Sequence, residues 1–246
     1  MKGWQKSALI TLAMLLIAGG YLFYVFKSRQ NTGVTITHGE QPRQLSSDEL
    51  AVVKLLYLPS FSDAKDQLEG KPLWVKAGYS LPYYPYSGEK VQFAKRVGVL
   101  PSAEKLSVVK LVKAAAPAKE ENRIPHGTRQ YFAVFMLNGS PDQFAAPAGY
   151  ADGNDEKLFC DQLFYYDDPK KIYDHWPPAV WEAVAKHIPT VGMSENQVRM
   201  TVGVLLDGDP SSYSTREGDR TVTYNAGGKK WTVTFVKGAA TEVKAG

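Results

Sequence analysis

From Lys71 to Tyr166 the chain is written as short apolar runs set between glycine and proline breaks. LWVKAGY, VQFAKRVGVL, LSVVKLVKAAA, RQYFAVFML and LFCDQLFYY run for 7–11 residues each and are rich in Val, Phe, Tyr and Leu. Branched and aromatic side chains suit a pleated, half-buried surface, and turn residues at both ends hold each run to strand length. The breaks fall at residues 80–88 (SLPYYPYSG), 101–102, 117–127 and 138–154. No helical period lies between the runs, which predicts a small antiparallel barrel or curled sheet. A short first strand followed by a long aromatic-rich loop favours an SH3-like barrel, placed with a leading helix at residues 46–166.

The leading helix is expected to start at Ser46, where Ser46 and Glu49 stand at capping-box spacing. Leu50, Val53, Leu56 and Tyr57 then recur near the helical period until Pro59, and a second short helix is expected over residues 62–68. Residues 30–45 are polar and read as a linker. After Tyr166 the pattern turns helical. Asp168 and Pro169 make a helix start, and Pro177-Pro178 breaks that helix and opens another with Val180, Trp181, Val184 and Ile188 on one face. Ser194 and Gln197 form a second capping box, Val198 and Val202 follow as a core stripe, and Gly203 suits the helix end. Two alternating strands, residues 220–225 and 230–236, and a short last strand at 241–243 complete an α/β module over residues 167–246.

Ahead of all this, residues 7–26 are 20 uncharged, mostly apolar residues, SALITLAMLLIAGGYLFYVF. As a helix they would extend about 30 Å, the thickness of bilayer hydrocarbon. Trp4, Tyr21 and Tyr24 suit the headgroup level. A cleaved signal peptide is the alternative, but the apolar run continues past Gly19-Gly20 and no small-residue cleavage site follows. The expectation is a transmembrane signal-anchor over residues 1–29 in contact with membrane lipid, in the inner (cytoplasmic) membrane, with the body periplasmic or extracellular. The full fold expectation is therefore α+β: a single N-terminal transmembrane helix, a β-rich SH3-like barrel and a C-terminal helical pair packed on a small antiparallel sheet.

Charge narrows the partners. The formal net charge is +4, and Lys2, Lys6, Lys27 and Arg29 account for all of it. The remainder is neutral, so no nucleic-acid partner is expected. The one cysteine, Cys160, lies in an apolar run and reads as a core residue. His175 and His187 straddle the Pro177-Pro178 break, so no metal site is expected. Asp161, Asp167 and Asp168 have a structural explanation in the helix start. Phosphate-binding and nucleophile-elbow motifs are absent, so no cofactor and no catalytic residue is expected. What stands out is Tyr79, Tyr83, Tyr84 and Tyr86 among stiffening prolines. Such tyrosines offer a large apolar body with a polar tip at little entropic cost, and are the expected partner-binding residues.

Residues 191–243 resemble the SmpA/OmlA small outer-membrane assembly lipoprotein family, of β-lactamase-inhibitor-like fold. The matching residues are Gly192-Met193-Ser194, Gln197-Val198, Gly203, Tyr224, the strand from Trp231 to Phe235, and Gly238. The family's lipid-bearing cysteine has no counterpart, and Pro210 falls seven residues past Gly203 rather than beside it. The resemblance implies a helical pair on a small sheet and a role in protein–protein contact or envelope assembly. The function expected is a membrane-anchored, non-catalytic envelope protein that docks or scaffolds a protein partner. Two other readings stay open: a cell-wall glycan-binding protein using the tyrosine loop, and an envelope hydrolase using Cys160 or the Asp161, Asp167 and Asp168 carboxylates. Whether the chain self-associates is open as well.

Overall fold

The structure is a computed structural model, and it describes residues 14, 18–25, 27, 45–76, 81–117, 129–137, 139–203, 219–226 and 229–246. The chain divides into two compact units, Met1–Gln44 and Leu45–Gly246. In the first unit, Met14, residues 18–25 and Lys27 are helical. The rest of the apolar stretch 7–26, and residues 30–44 of the expected linker, lie outside the described residues. A span takes about 20 residues of continuous apolar helix. No helix among the described residues is long and apolar enough to cross a membrane. That finding overturns the single-pass anchor and the inner-membrane placement.

The second correction concerns fold class. The protein is mainly β, 42% strand against 28% helix, and is built on a nine-stranded antiparallel sheet rather than a small SH3-like barrel. Two short helices, α1 (Ser47–Leu50) and α2 (Phe61–Leu68), lead into it. The strands are β1 (Pro72–Val75), β2 (Leu81–Ser87), β3 (Lys90–Val91), β4 (Gly98–Leu100), β5 (Lys105–Ala115), β6 (Arg129–Leu137), β7 (Gln143–Asp152), β8 (Asp155–Leu158) and β9 (Phe164–Tyr165). Their order is β3-β2-β7-β6-β5-β1-β9, with β4 also on β2 and β8 also on β7. Among the described residues the path ends at β3 and β9, which do not pair with each other.

The long meander β5-β6-β7 explains why a small barrel does not form. In β6, Ala133 and Phe135 enter one core with Leu73, Leu106, Phe164 and α2. Phe132 and Val134, on the opposite face, enter another with Tyr84, Tyr86 and Val91. A strand covered on both faces reads as a continuous apolar run, and RQYFAVFML is one. In β5 burial steps through Leu106 and Val108 and then jumps to Leu111, because a β-bulge between Val108 and Lys110 shifts the alternation. Gly149 on β7 allows β8 to close in: a Cβ there would lie 2.3 Å from the carbonyl oxygen of Lys157.

Beyond α3 (Cys160–Leu163), which precedes β9, come α4 (Pro169–Ile172), α5 (Pro178–Lys186) and α6 (Glu195–Val202). A three-stranded antiparallel sheet follows, β10 (Arg220–Ala226), β11 (Lys229–Val236) and β12 (Ala239–Ala245). Val198 and Val202 pack with Ala183, Tyr224, Val233 and Phe235. An aromatic cluster of Tyr165, Tyr173 and Trp176 with Val184 and Met200 draws residues from both sides of Tyr166, and residues 45–246 form one compact unit.

Helix α1 ends at Leu50, Ala51 turns extended, and residues 51–59 are neither helix nor strand, where a helix was expected. Ala51 and Val53 pack on the aromatic cluster, while Leu56 and Leu58 pack on the α2 side of the large sheet. Seven residue steps cover roughly 10 Å in a helix but about 23 Å when extended, so leaving the helix lets one short segment serve both cores.

Candidate functional site

The expected tyrosine site is a strand. Tyr79 lies outside the described residues, whereas Tyr83, Tyr84 and Tyr86 belong to β2. Tyr84 is 0% exposed and meets Phe93 edge-on at 5.3 Å; Tyr86 is buried, with the Lys110 ammonium 5.0 Å from its ring centre. Tyr83 is half-buried against Phe144 at 5.4 Å, and burial pushes its phenol up. Alternation along a strand sends Tyr83 toward one of the two cores that flank the sheet, and Tyr84 and Tyr86 into the other.

The residues of the hydrolase reading are also occupied. Cys160 is 1% exposed, its thiol facing the carbonyl oxygen of Ala148 at 3.9 Å. Burial, aided by the Asp161 charge, pushes this thiol up to about 12, which keeps it from being a thiolate at neutral pH. Asp161 Oδ1 accepts the Leu56 N–H at 3.1 Å, and its carbonyl accepts Lys76 Nζ at 2.7 Å. Asp168 caps α4, accepting the Lys170 N–H at 2.9 Å, and Asp167 is exposed. His187 Nδ1 lies 3.1 Å from the Thr201 carbonyl, away from His175 and its partner. Among the described residues, no three His, Cys, Asp or Glu side chains gather as metal ligands would.

What the structure does bring together was not legible in any local motif. Asp48, on α1, accepts Trp176 Nε1–H at 2.6 Å and pairs with His175 Nε2 at 2.7 Å through Oδ1, and takes Ser194 Oγ–H at 2.9 Å on Oδ2. Serine, histidine and aspartate meet, but the carboxylate stands between the other two. Nucleophilic attack by a serine needs its base within hydrogen-bond reach of the hydroxyl. Here the two groups hold different oxygens of Asp48, an arrangement that ties elements together. Their partners lie 127 to 146 residues from Asp48. The two capping boxes marked the neighbourhoods of Asp48 and Ser194, and nothing in either pointed to the other.

This tie, with the Asp161 bond to Leu56, straps residues 45–59 across the body. Alternate side chains of the strap turn in, and the others form an outward ridge. Val52 is 88% exposed, Tyr57 85%, Leu55 65% and Leu50 62%. Scattered single apolar side chains are ordinary on a protein surface, whereas these four fall within one short segment. Among the described residues no strand pairs with the strap.

Comparison with known protein families, with characterised proteins and with solved structures gives no match.

Proposed function

We propose that residues 45–246 act as a non-catalytic docking module that holds a protein partner on the ridge of Leu50, Val52, Leu55 and Tyr57. The observation that carries this reading is the exposure of those four side chains on a segment whose other face is fastened to the body. Covering each one on docking would contribute about 1.5–3 kcal/mol of apolar burial, enough for a small, specific contact. Fastening beforehand lowers the ordering cost that a loose peptide would meet. The resemblance of residues 191–243 to the SmpA/OmlA family supports the same direction, since that family implies protein–protein contact. Cys160, Asp161, Asp168 and the Asp48 tie are each engaged in packing, capping or strapping, which supports a non-catalytic role.

A photo-crosslinking side chain placed at Leu55 or Tyr57 tests the proposal, with exposed Lys244 as the control position. One discrete adduct from both ridge positions, none from position 244, and loss of the position-55 adduct on Tyr57→Asp with an unchanged melting temperature are expected. The same adducts from all three positions, or none from the ridge, would overturn it.

A further inference from the structure

An open cleft of about 400 Å³ lies between the start of β5 and the α4–α5 corner. It shares Trp74, Lys105 and Asp168 with a second cleft of about 540 Å³. Both volumes fall within the range of small-molecule sites. Two half-buried indoles, Trp74 and Trp181, line the first. The Lys105 ammonium sits 5.8 Å from the Trp74 ring centre, and the Lys170 ammonium 6.0 Å from that of Trp181. These separations are at the outer limit of cation–π attraction, and both lysines are exposed, so either can yield its ring face to a ligand.

The polar groups of the wall are of both signs, with the His187 imidazole beside them. Glu104 and Asp168 supply carboxylates, and Lys105 and Lys170 supply ammoniums. Burial raises the Glu104 carboxyl, with His187 pulling it partly back. Ser102 is one of the lining residues, 6% exposed, and its Oγ has no hydrogen-bond partner among the described residues. A buried hydroxyl without a partner is destabilising, and a ligand that reaches it through a small shift of the covering groups removes that penalty.

We propose that this cleft binds a neutral pyranose sugar of one or two rings, stacked on an indole and hydrogen-bonded by Ser102, Glu104 and Lys105. The C–H face of a pyranose is apolar and flat enough to lie on an indole. Its hydroxyls donate and accept, which matches a wall that offers carboxylates, ammoniums and a serine hydroxyl. An anion would meet the two carboxylates, and a cation the two ammoniums, so neither matches the wall as well. None of the ridge residues lines the 400 Å³ cleft, and of them only Val52 lines the adjoining 540 Å³ one, so Leu55 and Tyr57 are outside both.

Titration of the ¹⁵N-labelled full chain with cellobiose, maltose and N,N′-diacetylchitobiose tests this through the indole N–H resonances. At least one sugar is expected to shift Trp74 and Trp181 saturably with a Kd of order 1 mM, leaving Trp231 unmoved. Ser102→Ala should leave the melting temperature equal or higher, since no hydrogen bond is lost, while weakening the sugar about three- to tenfold. Trp181→Phe should weaken it by a similar factor, and Lys105→Met, at an exposed side chain, guards against a tryptophan variant that fails to fold. Tyr57→Asp should leave sugar binding unchanged, which separates this outcome from that of the docking test. The proposal fails if no sugar moves either indole up to about 20 mM. It also fails if acetate or tetramethylammonium moves them where the sugars do not, or if Ser102→Ala and Trp181→Phe both bind the sugar as the parent does.

Discussion

Cys160 shows how one side chain reports its surroundings. It sits at the start of α3 with its thiol buried, and folding holds the thiol protonated up to about pH 12 against an ordinary value of 9.0. A group whose folded value is raised contributes stability that is intact below its unfolded value and is lost as pH climbs toward the folded one. Between about pH 9 and pH 12 the thiol should therefore cost the protein stability progressively as pH rises. Urea unfolding followed over that interval should show a shallower loss for Cys160→Ala than for the parent, although the variant starts lower by its missing contacts. Parallel alkaline limbs would count against a buried thiol. That Cys160 packs as a core residue was readable from its apolar neighbours in KLFCDQLFYY. The burial of Tyr84 and Tyr86 was not, because the same residues with prolines between them suit either a loop or an edge strand.

The two capping boxes make a comparison between elements. In α1, Ser46 Oγ accepts the Glu49 N–H and Glu49 returns a bond to the Ser46 N–H; in α6, Ser194 and Gln197 do the same. Both boxes were legible, since their four residues are local and their spacing is set by helix geometry. They differ in context. Ser46 is exposed, whereas Ser194 Oγ also donates to Asp48. Ser46→Ala should lower stability by about 0.5–1 kcal/mol and Ser194→Ala by about 1.5–3 kcal/mol, the excess being the bond to the half-buried Asp48 carboxylate. Chemical denaturation of the two variants side by side would show it, and equal losses would mean that the Asp48 bond adds nothing. The strap teaches the converse. Leu50, Val53, Leu56 and Tyr57 follow a helical period, yet residues 51–59 leave the helix, with Ala51 and Val53 packed on one core and Leu56 and Leu58 on another.

Across the whole molecule, Asp48 joins the N-terminal strap to the aromatic cluster and to the start of α6. Removing its carboxylate leaves Trp176 Nε1–H, 4% exposed as a residue, without an acceptor. Asp48→Ala should cost about 1–3 kcal/mol and raise amide hydrogen exchange in residues 45–59 well before exchange in β5, β6 and β7. Uniform acceleration through the sheet would show that the strap does not open on its own. Composition, strand runs and turn residues made the β-rich character of residues 71–166 readable, along with the helix starts at Asp168 and Ser194 and the β10–β11 pairing. Each of these depends on neighbours within a few positions, where side-chain shape and backbone hydrogen bonding decide. Sheet size, the strand path from β3 to β9, the strap, the Asp48 tie and the Trp74 cleft were decided only by tertiary structure. Each joins residues tens to more than a hundred positions apart, and local pattern carries no record of which apolar faces will meet.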